Sequence, residues 1–147
     1  MSIQQRKKDH VELTTTGDVA YRKSAGFERY DFIHNALPEL NPEDVRTDAT
    51  LLGREFSFPL FISSVTGGFS EGHSINSLIA EFCQRHNLPF GVGSQRILLE
   101  EPSTIGTFRI VRKKAPDAFI AANIGGAQLI GGLPPEKITS LIDSIRA

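Results

Sequence analysis

The sequence predicts an α/β protein in which helices cover a parallel sheet. Three short apolar runs, Leu60-Phe61-Ile62-Ser63, Phe90-Gly91-Val92-Gly93 and Phe119-Ile120-Ala121-Ala122, read as strands. They recur at roughly 30 residues, the length of one strand–helix–strand unit. A helical apolar pattern stands behind each run, and continuously apolar strands alternating with helices imply a buried parallel sheet. Glycine and polar residues follow each run directly, as Ser64-Val65-Thr66-Gly67-Gly68, Ser94-Gln95-Arg96 and Asn123-Ile124-Gly125-Gly126. An open doubly wound sheet and a part of a (β/α)8 barrel both fit, and both place binding sites at these carboxyl ends of the strands.

In chain order, residues 1–58 form a polar, irregular arm. Ser2 and Gln5 have the spacing of a capping box, and residues 3–13 lack Gly and Pro, so a helix is expected there. Leu37-Pro38 and Asn41-Pro42 punctuate the middle of the arm. Residues 51–58 read as a hairpin turning at Gly53, with Phe56 and Phe58 on one face. Residues 59–147 then carry the repeating pattern. Ile75, Leu78, Ile79 and Phe82 follow the i, i+3, i+4, i+7 rule, and Ile138, Leu141, Ile142 and Ile145 repeat it. Ile105, Phe108 and Val111 form a weaker stripe behind Pro102, and Glu100-Glu101 reads as the charged start of that helix.

Composition narrows the function classes. A net charge of -1 gives no general attraction for nucleic acid, so any anion site must be local. The single cysteine, Cys83, allows no intrachain disulfide and reads as a small buried hydrophobe on its helix. The charged N-terminus is not a signal peptide, and no apolar run is long enough to span a bilayer. A soluble, cytoplasmic protein is expected.

Four groups of residues could carry chemistry. On a helix, Arg6 and His10 share a face, with Lys7 beside them, and three such donors can grip a diphosphate; a solvated basic helix is the competing reading. Thr66-Gly67-Gly68 would let a ligand approach the backbone, or is a plain turn. Gly91-Val92-Gly93-Ser94-Gln95-Arg96 falls short of a dinucleotide fingerprint, because Arg96 stands where the third glycine belongs. Its Ser94 and Arg96 could meet a phosphate, or serve local loop bonding. Asn123 offers an amide that donates and accepts, suited to the edge of a flavin or to the turn that follows. His34, His73 and His86 have no metal-ligand spacing.

Arg6-Lys7-Lys8-Asp9-His10, Val65-Thr66-Gly67-Gly68, Gly93-Ser94-Gln95-Arg96 and Ala122-Asn123-Ile124-Gly125 together resemble, in order, the motifs of type 2 isopentenyl-diphosphate isomerases. The resemblance covers essentially the whole chain. It implies a (β/α)8 TIM barrel of the FMN-linked type, here the N-terminal arm (1–58) and the first three βα units (59–147) of an incomplete barrel. A complete barrel takes about 250 residues. By the resemblance, Arg6, Lys7, His10, Ser94, Gln95 and Arg96 bind substrate, and Ser64, Val65, Thr66, Ser94 and Asn123 bind FMN. Val65 departs from the methionine usual there. The implied reaction interconverts isopentenyl and dimethylallyl diphosphates, with reduced FMN as proton donor and acceptor and no catalytic side chain in this segment. NADPH is the implied reductant, and Mg2+ accompanies the diphosphate on residues outside this segment. The family's later Gln-Glu pair and flavin-phosphate strands are not in the sequence, so this chain alone is expected to be inactive and to self-associate as a homo-oligomer. Another FMN barrel oxidoreductase and a non-catalytic partial barrel are the alternatives; the basic N-terminal motif speaks against the first.

Overall fold

A computed structural model describes residues 2–64 and 66–147. The arm begins with helix α1 (Ile3–Thr16), which Ser2 caps by accepting a hydrogen bond from the Gln5 amide at 3.1 Å. Only half of the capping box forms, because the Gln5 side chain donates to Asp9 at 2.6 Å instead. Residues 17–48 hold no longer element than two single 3-10 turns, Phe27–Arg29 and Pro42–Asp44. The hairpin is β1 (Ala49–Leu51) paired antiparallel with β2 (Arg54–Phe56). Leu52 and Gly53 both take positive φ (52° and 74°), the signature of a type I′ turn. The expected shared face of Phe56 and Phe58 does not form: Phe56 is 2% exposed and stacks edge-on against Phe119, whereas Phe58 is 51% exposed. Pairing ends at Phe56, and the Ser57 amide then donates to Asn87, so the period-two alternation stops there.

The second region forms helices where the periodicity expects them, but the first expected stripe is not the buried face: Asn76, Ala80 and Cys83 are buried, whereas Leu78 is 71% exposed and Phe82 46%. Helix α2 (Gly72–His86) leads to β3 (Phe90–Gly91). Helices α3 (Ile97–Glu100) and α4 (Gly106–Lys114), joined by the 3-10 turn Pro102–Ile105, lead to β4 (Ile120–Ala121). Helices α5 (Gly126–Ile130) and α6 (Pro135–Ile145) follow. Glu100 therefore closes a short helix rather than opening a long one. Of the three expected strands, the first is reduced to a single parallel bridge, Ile62 to Phe90. β3 pairs in parallel with β4 through Phe90–Ile120 and Gly91–Ala121. The strand order thus follows the chain order.

The core lies between this sheet and α2, α4 and α6. Phe90 and Ile120 from the strands, with Val92 just after β3, meet Ala80 and Cys83 of α2, Phe108 and Val111 of α4, and Leu141 and Ile145 of α6. Cys83 is fully buried, and burial pushes its thiol up to about 11. At the helix surface Lys114 pairs with Glu81 at 2.6 Å, joining α4 to α2. Among the described residues no helix is long and apolar enough to cross a membrane.

Candidate functional site

Beyond the strands, the ladder continues as loop-to-loop bonding, and this builds the site. The Gly93 amide donates to the Thr66 carbonyl at 3.1 Å, and the Gln95 amide donates to the Asn123 carbonyl at 2.8 Å. Three strand-end loops are therefore tied side by side. The first lies flat because it is glycine. A Cβ on Gly67 would fall 2.6 Å from the Phe108 ring, and one on Gly68, at φ 83°, would fall 2.5 Å from Ile97. The Gly68 amide is held by the Thr107 hydroxyl at 2.8 Å, and the buried Asn76 amide nitrogen donates to the Thr107 carbonyl at 2.8 Å. Helix α4 thus supports the first loop from beneath.

Helix α1 lies across these loops. Ile3, Gln4, Lys7 and Val11 are partly covered, while Arg6 and His10 remain exposed on the neighbouring edge. Gln4 donates to the Glu101 carboxylate, next to α3. The Lys7 ammonium donates to the Gly67 carbonyl and, at 3.0 Å, to the Ser94 carbonyl, with the Phe108 ring centroid 5.4 Å away. Burial, reinforced by the charges of Arg6 and Arg96, lowers its pKa from 10.5 to about 8. Arg96 pairs loosely with Glu100 at 3.4 Å and keeps a third of its side chain in solvent.

The structure therefore brings Arg6, Lys7, Ser94 and Arg96 to one place, but in unlike roles. Arg6 is exposed and Arg96 keeps part of its guanidinium in solvent beside Glu100, whereas Lys7 is turned inward onto backbone carbonyls. His10 stands one turn beyond Arg6, at the exposed edge. The Ser94 hydroxyl accepts from the Arg96 amide at 3.4 Å. Gln95 is 1% exposed and faces inward. Its amide nitrogen donates to the Leu141 carbonyl at 2.8 Å, and its amide oxygen accepts from the Asn123 backbone at 3.4 Å. Asn123 is half-buried at the next strand end, and Ser64 is exposed at the first. Val65 lies outside the described residues. The Thr66 hydroxyl is buried with no hydrogen-bond partner among the described residues.

Sequence reasoning passed over Phe108, Thr107 and Gln4. Phe108 stands in an apolar stripe of the sequence, yet its ring also faces the Lys7 ammonium. Nothing in the sequence marks backbone carbonyls as the acceptors of a lysine.

With this geometry in view, the chain can be compared with known proteins. No family model matches it. It is 45% identical over 143 residues to the isopentenyl-diphosphate delta-isomerase of Rickettsia rickettsii (strain Sheila Smith), covering 97% of this chain and 42% of that protein. It is 44% identical over 147 residues to the isopentenyl-diphosphate delta-isomerase of Chlorobium phaeovibrioides (strain DSM 265 / 1930), covering 99% of this chain and 41% of that one. The protein of the same name from Rickettsia bellii (strain RML369-C) is 44% identical over 142 residues. The chain is thus similar along nearly its whole length to proteins named isopentenyl-diphosphate delta-isomerase, and it spans about two fifths of the length of these curated relatives.

Proposed function

We propose that the chain is the N-terminal portion of a type 2, FMN-dependent isopentenyl-diphosphate delta-isomerase, a cytoplasmic enzyme of isoprenoid biosynthesis. Its full length would interconvert isopentenyl and dimethylallyl diphosphates. The observation that carries this reading is the cationic corner where α1 crosses the strand ends. Arg6 and Arg96 both act electrostatically on Lys7, and no carboxylate contacts its ammonium among the described residues. Like charges gathered this closely repel one another, and an anion of high charge density relieves that repulsion. The arginines offer the two-pronged fork that suits a diphosphate.

The flavin part of the reading fits the polar groups on the same side. The buried Thr66 hydroxyl has no hydrogen-bond partner among the described residues, Ser64 is exposed, and Asn123 is half-buried. Buried polar groups ordinarily find partners, so Thr66 is suited to a ligand that brings one. When bound and reduced by NADPH, FMN would supply the proton chemistry. This chain's residues would orient the reacting groups: Arg6 and Arg96 neutralise the diphosphate, and Asn123 and Ser64 hold the flavin edge. Gln95 fixes the backbone that carries Asn123. The fold reading is the opening βα units of a (β/α)8 barrel, supported by a parallel sheet whose order follows the chain.

The second reading is a non-catalytic partial barrel: among the described residues the parallel bonding takes in only the Ile62 bridge, β3 and β4. Titrating the purified chain into FMN separates the two. The expected result is quenching of flavin fluorescence, weakened about tenfold in Asn123→Leu by loss of one or two hydrogen bonds. Turnover of isopentenyl diphosphate by this chain alone is not expected. Unchanged flavin fluorescence would remove the cofactor from this segment and leave the partial barrel standing.

A further inference from the structure

The first strand-end loop contains two adjacent glycines, Gly67 and Gly68, which take φ of 154° and 83°. Glycine has the widest backbone freedom of any residue, so a loop built on two of them needs outside partners to keep one shape. One end is held at the Thr66 carbonyl, which accepts from the Gly93 amide at 3.1 Å. The other end is held by Thr107, whose hydroxyl accepts from the Gly68 amide at 2.8 Å. That hydroxyl has a single proton, and it goes to the Thr104 carbonyl at 2.8 Å. Toward Gly68 the hydroxyl can therefore only accept. The Thr107 carbonyl in turn accepts from the Asn76 side-chain amide at 2.8 Å, and Asn76 is fully buried. Helix α2 thus braces the residue of α4 that braces the loop. The Phe108 ring and Ile97 fill the space beside the two glycines, so the loop has no room to settle toward the core. Gly68 itself is buried, and its amide depends on the one acceptor. Within the pinned stretch stands the Thr66 hydroxyl, buried and without a hydrogen-bond partner among the described residues.

We propose that Thr107 is a positioning residue for the cofactor site: through the Gly68 amide its hydroxyl fixes the backbone from Thr66 to Gly68, and so sets where the Thr66 hydroxyl points. The proposal rests on the reading of these strand ends as a flavin site. It gives a role in that site to a helix residue outside all three strand-end loops. Serine at this position keeps the acceptor. Valine has nearly the same shape and lacks it, so the buried Gly68 amide is left without a partner and the glycine pair is free to turn.

Amide exchange of the 147-residue chain without any ligand tests this, with wild type, Thr107→Val and Thr107→Ser compared. Thr107→Val should speed exchange at Gly68 about ten- to a hundredfold, the effect of leaving a buried donor unpaired. Protection of α2 and α4 should persist. Thr107→Ser should return Gly68 to within about threefold of wild type, because the acceptor is restored. Unchanged Gly68 exchange in Thr107→Val would overturn the proposal. A loss spread equally over α2 and α4 would also overturn it, since that marks a residue that only supports the core. FMN titration of the same three proteins tests the site separately. Affinity is expected to fall about tenfold in Thr107→Val and to recover in Thr107→Ser. Equal FMN affinity in all three, with Gly68 exchange altered, would show that the loop moves without consequence for the cofactor and would sink the positioning role. A wild-type chain that ignores FMN would refute the cofactor reading of this segment, while the exchange result still decides whether Thr107 holds the loop.

Discussion

A methyl group on Gly93 would sit 2.5 Å from the carbonyl carbon and oxygen of Thr66, and those atoms are backbone that cannot swing aside. Gly93→Ala should therefore destabilise the chain by about 1–3 kcal/mol, the range for overpacking a closed site. At Gly106 nothing lies within 4 Å of the same added methyl, at a helical φ of -56°. Gly106→Ala should instead stabilise by about 0.4–1 kcal/mol through the unfolded chain. Urea midpoints of the two variants should move in opposite directions. Lys7 gives a pH dependence at the same scale. Burial first, then Arg6 and Arg96, lower its pKa from 10.5 to about 8, so the docked state binds fewer protons than the undocked one between those values. Docking of α1 should thus strengthen as pH rises from about 8 to 10.5 and be insensitive to this group below 8. A neutral amine still donates to both carbonyls. Protection of α1 amides, corrected for intrinsic exchange, measures this, and a fall in protection across that window would contradict it. The glycines and the basic cluster were legible as residue types. Their roles were not, because a close approach or a carbonyl acceptor belongs to the folded backbone and leaves no mark on composition.

Helices α2, α4 and α6 were legible because each keeps an apolar stripe over two or more turns; burial follows it in α4 (Phe108, Val111) and α6 (Leu141, Ile145), whereas α2 buries Ala80 and Cys83 beside its stripe and leaves Leu78 and Phe82 exposed. The strands were legible in place but not in extent, since ladder bonds pass quickly into loop-to-loop bonds such as Gly93 to Thr66. Helices α3 and α5 went unread, being too short for periodicity to show, and α5 begins at Gly126, inside what looks like a glycine turn. Besides the core packing and the Arg109 bond to the Ser144 carbonyl, one side chain ties the end of α4 to the chain beyond it at several points. Arg112 donates through Nη1 to the carbonyls of Ala115, Pro116 and Ala118 at 3.0, 3.0 and 2.9 Å, and through Nη2 to that of Arg146 at 2.6 Å. Burial lowers its pKa from the ordinary arginine value, with Arg146 and Arg54 adding to that effect. Lysine has one nitrogen and cannot span four acceptors with a planar fork. Arg112→Lys should cost about 2 kcal/mol or more in a urea melt, since half-buried carbonyls lose their donor. An unchanged midpoint would mean that water replaces the guanidinium freely.

At the scale of the molecule, two features set how the chain behaves in solution. The arm leaves large apolar side chains in water: Tyr21 is 80% exposed, Phe27 81%, Tyr30 79%, Phe32 102% and Ile33 99%. The parallel sheet ends on both sides without a further partner among the described residues, at the Ile62 bridge and at β4. Large exposed apolar side chains and unpaired strand edges both favour association. A net charge of -1 supplies almost no repulsion to oppose it. The chain is therefore expected to sediment as an oligomer whose size grows with concentration. Replacing Phe32 and Ile33 together by Ser should shift it toward monomer. The core between α2, α4 and the sheet does not use these two residues, so its thermal transition should be retained in the double variant. A wild-type chain that sediments as a single monomer at all concentrations, with a sharp cooperative melt, would show that the arm folds back to cover itself in solution. Retained oligomers in the double variant would instead place the contact at the sheet edges, which a Lys substitution at Ala121 in β4 would then disrupt.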